Sequence, residues 1–236
     1  MTARAPVGAR AAAGLGVGSA PPPGTTAQHA LERLRGAIVA GDLSPGQRIV
    51  QEDVAERLGV SVAPVREALA TLEQEGQVTY RPRRGYCVTE LHFEDLEEIY
   101  ELRRVLEAGA ARRALANLDR HGLERIARAA QDCAVAVAAG DVAAELEANR
   151  RFHFGLLDSG DRPHTMRVIR MLWDSTEAYR ALYYNAPEER HAALAAHARI
   201  LDAATRGSAD RLIAELDAHR DRALTVLGQI LRRAHE

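Results

Sequence analysis

A chain of 236 residues with 47% hydrophobic and only 4% aromatic side chains has enough apolar material for one large domain or two small ones, and its wealth of alanine and leucine favours helix over sheet. Its 31 basic residues, all arginine, against 33 acidic ones leave a formal net charge of -2, which argues against a protein that coats nucleic acid indiscriminately but permits a local basic surface. Two cysteines, Cys87 and Cys133, provide no disulfide framework and fit a reducing cytoplasm, and no apolar run approaches membrane-spanning length.

Residues 1–26, MTARAPVGARAAAGLGVGSAPPPGTT, lack a continuous leucine-rich stretch and are read as a disordered tail rather than a signal peptide. The densest pattern lies between Glu52 and Gly85 and has the order of a winged helix-turn-helix, assigned to 27–90. Ala55 and Leu58 give one helix an apolar face, and Gly59 breaks it. Ser61 is expected to supply an N-cap oxygen to the next helix, and Pro64 is tolerated in its first turn, where an amide has no intrahelical partner. Val65, Leu69 and Leu72 recur at helical spacing and leave Arg66 and Glu67 on another face. Two β-rich runs, Val78–Tyr80 and Tyr86–Val88, flank Arg81-Pro82-Arg83-Arg84-Gly85, a hairpin with three arginines at its tip. Such a helix fits a major groove while neighbouring basic groups hold phosphates. Acidic and basic residues nearly balance between Ala27 and Glu90. A positive face must therefore come from placement at the wing, with salt-sensitive affinity and dimerisation supplying the rest.

From His92 onward the pattern is helical, and no strand pattern appears after residue 90. Gly122, Gly140, Asp161–Pro163, Pro187 and Gly207 punctuate it into helices over about 93–118, 122–139, 141–158, 163–184, 188–206 and 208–234. The fold class expected is mostly α, the winged helix-turn-helix followed by an all-helical bundle of about six helices over 91–236.

The string GDLSPGQRIVQEDVAERLGVSVAPVREALATLEQEGQV resembles the DNA-binding domain of GntR-family transcription regulators. The resemblance implies that Ser61, Ala63, Pro64 and Arg66 lie near DNA, with Arg84 and Gly85 at the wing; Arg83 joins them as the neighbouring basic group. The family usually carries an arginine directly after the serine of the turn, where this chain has Val62, which cannot make a charge-assisted bond to phosphate or guanine. The second half resembles the FCD effector domain of the FadR subfamily. The segments that carry this are E-D-L-E-E-I-Y-E-L-R-R-V-L-E, N-R-R-F-H-F-G-L-L-D-S-G, A-A-H-A-R-I-L-D-A-A and L-D-A-H-R.

That second resemblance implies a metal site at Asn149, His153, His197 and His219. Spacing gives partial independent support. Asn149 and His153 are four apart on one helix face, and antiparallel packing of the last two helices could bring His197 and His219 together. Three imidazoles and an oxygen donor suit a divalent ion, Zn²⁺ or Ni²⁺ foremost. Asparagine stands where metal-binding relatives usually have aspartate, and its neutral carbonyl is a weaker donor. The resemblance also points Arg103 into an effector pocket, where a guanidinium pairs a carboxylate; the plain alternative is an i,i+4 ion pair with Glu107.

Together these readings describe a cytoplasmic, homodimeric, ligand-responsive repressor that binds double-stranded operator DNA and is released by a small organic acid. Two other classes compete. A metal-dependent enzyme could use the histidines, but no HExxH motif or glycine-rich phosphate loop is present and no obvious general base neighbours them. Alternatively the helical half is a dimerisation module without a ligand.

Overall fold

The computed structural model describes residues 26–90, 92–158, 161–184 and 186–235. Contacts divide the chain into two units, one ending at Glu90 and one beginning at Leu91. The tail expected over 1–26 lies outside the described residues except for Thr26, which opens a helix.

The first unit begins with α1 (Thr26–Val39), which has no counterpart among the elements expected from sequence although Leu31, Leu34 and Ile38 recur at helical spacing and are buried. It packs on α3. Helix α2 (Gln51–Leu58) ends at Gly59, whose φ of 66° is the left-handed value that favours glycine; Gly59 N–H donates to Glu56 O and Val60 N–H to Ala55 O, closing a Schellman turn. Helix α3 (Val62–Gln74) buries Val65, Ala68, Leu69 and Leu72 completely or nearly so. Strands β1 (Val78–Arg81) and β2 (Gly85–Val88) pair antiparallel, Val78 opposite Val88 and Arg81 opposite Gly85. Arg48, in the loop before α2, adds an isolated antiparallel bridge to Cys87.

Ser61 stands at the N-cap of α3 with extended backbone, but its side chain makes no capping hydrogen bond. The expectation of a cap fails for a local reason. With Val62 as the first helical residue, Pro64 occupies the third position and removes one of the two amides an N-cap hydroxyl can receive, leaving Ala63 N–H as the remaining candidate, which Ser61 does not engage. The hydroxyl stays free on an exposed turn.

The second unit is all helical: α4 (Phe93–Asn117), α5 (Arg120–Ala139), α6 (Val142–Leu157), α7 (Pro163–Ser175), α8 (Glu177–Tyr184), α9 (Pro187–Thr205) and α10 (Ala209–His235). Asp95 at the third position of α4 accepts from His92 N–H, and Asp119 and Asp141 cap α5 and α6 through Gly122 N–H and Ala144 N–H. Gly122 therefore lies inside the first turn of α5 rather than marking its start. Gly155 lets α6 approach α5: a Cβ there would come within 2.8 Å of Ile126 Cγ1. Ile126, Phe152, Leu156, Ile169, Trp173, Ile200, Leu212 and Leu216 form the core between the helices.

The helix expected over 163–184 is two helices. Ser175 and Thr176 turn their hydroxyls back onto the carbonyl of Leu172, Thr176 also reaches Trp173 O, and the fully buried Thr176 hydroxyl receives Arg180 Nη1 at 2.8 Å. Serine and threonine that bond back to the preceding turn bend or end helices. The break re-aims α8, so that Arg180, Tyr183 and Tyr184 meet the same cavity as Trp173.

Candidate DNA-reading surface and three-histidine cavity

In the first unit Ser61, Ala63 and Arg66 are exposed along the N-terminal half of α3, and Pro64 is half-buried. Arg66 Nε lies 3.4 Å from Gln51 Oε1 of α2, a long contact that a ligand can displace. Val62 opens the helix half-buried. At the wing Arg83 and Arg84 are exposed and Gly85 is half-buried, while Arg81 belongs to β1 and lies 3.9 Å from Glu90. Arg84 N–H donates to Arg81 O, and Arg83 takes a φ of 67°. With Pro82 in the second position and positive φ in the third, this is the pattern of a type II turn. An arginine held there costs about 1 kcal/mol relative to an ordinary conformation, and the outcome is two adjacent guanidiniums at the hairpin tip. Glu73, which the sequence does not single out, joins α3 to the wing: its Oε1 accepts Tyr80 N–H at 3.3 Å. Burial and then Glu73 raise the Tyr86 hydroxyl above its usual pKa, so it remains a donor to that carboxylate.

In the second unit His153 of α6, His197 of α9 and His219 of α10 converge. Their potential ligand atoms all lie within 4.8 Å of one another, and their ring centroids are 5.2–5.3 Å apart pairwise. His153 Nδ1, both ring nitrogens of His197 and His219 Nδ1 are buried without a hydrogen-bond partner. Buried imidazole nitrogens are ordinarily satisfied, so four orphans in one cluster fit a group that accepts nitrogen lone pairs. Burial first, then the neighbouring imidazoles, hold His153 and His197 well below the ordinary histidine value. Burial, followed by Arg103 and Arg220, pushes His219 down to about 4. The rings are therefore neutral near pH 7, the protonation state that ligates a metal.

Asn149 lies one turn before His153 and lines the adjoining cavity, which encloses about 30 Å³, space for an ion and one or two water-sized groups. Its Oδ1 accepts the Tyr184 hydroxyl at 3.0 Å. Arg103, 4% exposed, lines the cavity and also pairs with Glu107, Nε to Oε1 at 2.8 Å. The i,i+4 ion pair is therefore formed by a side chain that also borders the cavity. Its guanidinium lies 4.2 Å from the centre of the Trp173 ring, and that of Arg180 lies 4.6 Å from it. Arg104 points away, pairing with Asp217 and Asp221.

Two family models match this chain: "Bacterial regulatory proteins, gntR family" over residues 26–88 and "FCD domain" over 98–222, the latter more than half its length. The chain belongs to the FCD-bearing gntR regulators. The HTH-type transcriptional regulator YdhC of Bacillus subtilis is 29% identical over 72% of this chain and 76% of its own length. McbR, an HTH-type transcriptional regulator of Escherichia coli, is 30% identical over 59% of this chain and 63% of its own. A solved structure of E. coli McbR/YncC shares the fold, with a TM-score of 0.76 over 87% of this chain and 98% of that one at 24% identity. As a gntR-family member the chain is a DNA-binding transcription regulator and not an enzyme. None of the described helices is long and apolar enough to cross a membrane.

In this regulator the cavity residues Arg180 and Arg220 escape sequence reasoning, and Glu107 enters it only as an i,i+4 partner of Arg103. Glu107, 1% exposed, receives Arg103, Arg220 Nη1 and Trp173 Nε1, the last at 2.8 Å. Burial by itself would raise this carboxyl; Arg103, then Arg220, and the hydrogen bonds bring it below the usual carboxylate range. The Glu107–Arg220 pair spans 113 positions in sequence, so no local spacing signals it.

Proposed function

We propose that the chain is a homodimeric, ligand-responsive repressor acting in the cytoplasm. Two copies set their α3 helices into successive major grooves of a pseudo-palindromic operator, with Ser61, Ala63, Pro64 and Arg66 at the bases and backbone and Arg83, Arg84 and Gly85 on flanking phosphates. A divalent ion, Zn²⁺ or Ni²⁺ by donor type, is held by His153, His197 and His219 with Asn149, and a small carboxylate beside Arg103 releases the operator. The observation that carries this reading is the cluster of partnerless buried imidazole nitrogens beside a buried arginine, in a chain that also bears a complete winged helix-turn-helix. Dimerisation is supported by exposed apolar side chains on two packed helices, Leu102 and Val105 of α4 and Val168 and Met171 of α7, with Val105 73% exposed.

Selection of random duplexes by the full chain tests the reading. A two-fold symmetric consensus is expected, bound by two chains; recovery of no consensus would contradict it. A second reading, a helical dimerisation module with no ligand, is favoured by the small cavity and by the engagement of Arg103 with Glu107. Unchanged melting of the helical unit with divalent ions and carboxylates would select that reading, because a specific ligand shifts melting by mass action.

A further inference from the structure

A hairpin of two four-residue strands is marginal by itself, so the pose of the wing is set by what holds it. On one side β2 is tied to the loop before α2: Ile49 N–H donates to Tyr86 O at 2.8 Å and Val88 N–H to Gln47 O at 2.9 Å. On the side of α3 the tie is Glu73. It receives one hydrogen bond from each strand, from Tyr80 N–H of β1 on Oε1 at 3.3 Å and from the Tyr86 hydroxyl of β2. Tyr80 and Tyr86 stand opposite one another in the ladder, and their rings meet edge to face with centroids 5.3 Å apart. Glu73 lies two turns beyond Arg66 on α3 and so shares its face. Past this brace come the turn and its exposed guanidiniums, Arg83 and Arg84. Glu73 is itself exposed, and a carboxylate on the recognition helix repels phosphate, so its charge alone works against DNA.

We infer that Glu73 is a positioning residue of the DNA reader: it braces both strands of the wing against α3, so that Arg83 and Arg84 meet phosphates while Arg66 enters the groove. This rests on the wing reading above and adds the side chain that fixes the wing's pose. Charge and positioning predict opposite signs. Were Glu73 felt by DNA only through its charge, its removal would strengthen binding. As a brace its removal weakens binding, because two loosened arginines must be ordered again on the duplex.

The test is binding of the full chain to a fluorescein-labelled duplex of mixed sequence, followed by anisotropy across a salt series, which needs no knowledge of the operator. Glu73→Ala should weaken binding about five- to tenfold and flatten the logarithmic salt slope by about one to two, the share of the two wing arginines. Tyr86→Phe keeps every charge and removes one arm of the brace, so it should lose a smaller part of the same affinity. Glu73→Gln keeps an acceptor oxygen and removes the repulsion, so it should bind at least as tightly as wild type. In an Arg83→Ala/Arg84→Ala background, Glu73→Ala should change affinity by less than about twofold, since no wing cation is left to aim. Tighter binding by Glu73→Ala, or an equal loss in the wild-type and wing-arginine backgrounds, would overturn the inference and leave the wing reading standing. A wild-type salt slope in the Arg83→Ala/Arg84→Ala protein would overturn the wing reading and the inference with it.

Discussion

Metal-free protein should lose stability of its helical unit on mild acidification, and His219 allows the loss to be worked out. Its folded pKa of about 4 lies below the ordinary 6.5. Below about pH 6.5 the unfolded chain takes up a proton that the folded chain refuses, so the stabilisation is complete above 6.5 and drains away as pH falls towards 4. The difference between the two protonation limits is about 3 kcal/mol, and about 2 kcal/mol of it should be gone by roughly pH 5. The groups responsible are burial first, then Arg103, Arg220 and Arg199, with Glu107 opposing them. Trp173, the single tryptophan of the chain and fully buried in the helical unit, reports unfolding by its fluorescence. Urea unfolding of chelator-treated wild type and His219→Gln across this range isolates the contribution. The stability of wild type minus variant should fall by about 2 kcal/mol between roughly pH 7.5 and pH 5. A difference that stays flat would refute the reasoning, because it would mean that His219 titrates alike in both states.

Glu107→Ala would leave Arg103 and Arg220 buried around an absent carboxylate and should cost about 3–5 kcal/mol in the same urea assay; a loss under about 1 kcal/mol would show that the network relaxes or admits water. Arg66→Ala should weaken binding to the selected operator by about 1–3 kcal/mol and leave circular dichroism and dimer mass unchanged; unaltered operator affinity would remove Arg66 from the recognition surface. Val62→Arg places a cation at the start of α3 and should strengthen DNA binding while steepening its logarithmic salt slope by about one. A slope equal to that of wild type would show that position 62 does not reach a phosphate.

What the sequence disclosed was what is local. Gly59, Val65, Leu69 and the hairpin around Pro82 are specified by neighbours within one or two turns, so period and turn chemistry place them correctly. Asn149 and His153 share a helix face by spacing alone, and the packing of α9 on α10 brings His197 to His219. The exceptions are also physical. The Ser61 cap is absent where Pro64 removes one of its two candidate donors, a conflict between two individually sound local rules. The break at Thr176 arises from hydroxyls bonding backwards in a segment whose apolar pattern continues through it. Glu107, Arg180 and Arg220 become cavity residues only when five helices assemble, and although Arg103, Glu177 and Asp217 are partners within one turn, the Glu107–Arg220 pair that joins α4 to α10 has no local signal.

The account turns on whether the three imidazoles hold an ion in a DNA-binding regulator. Elemental analysis of freshly purified wild type and His197→Ala, compared at equal protein concentration and with the folded state of each confirmed by circular dichroism, tests this most directly. About one divalent ion per chain in wild type and a marked loss in the variant are expected. Equal metal content in the two proteins, or none in wild type even after incubation with Zn²⁺ or Ni²⁺, would contradict the site.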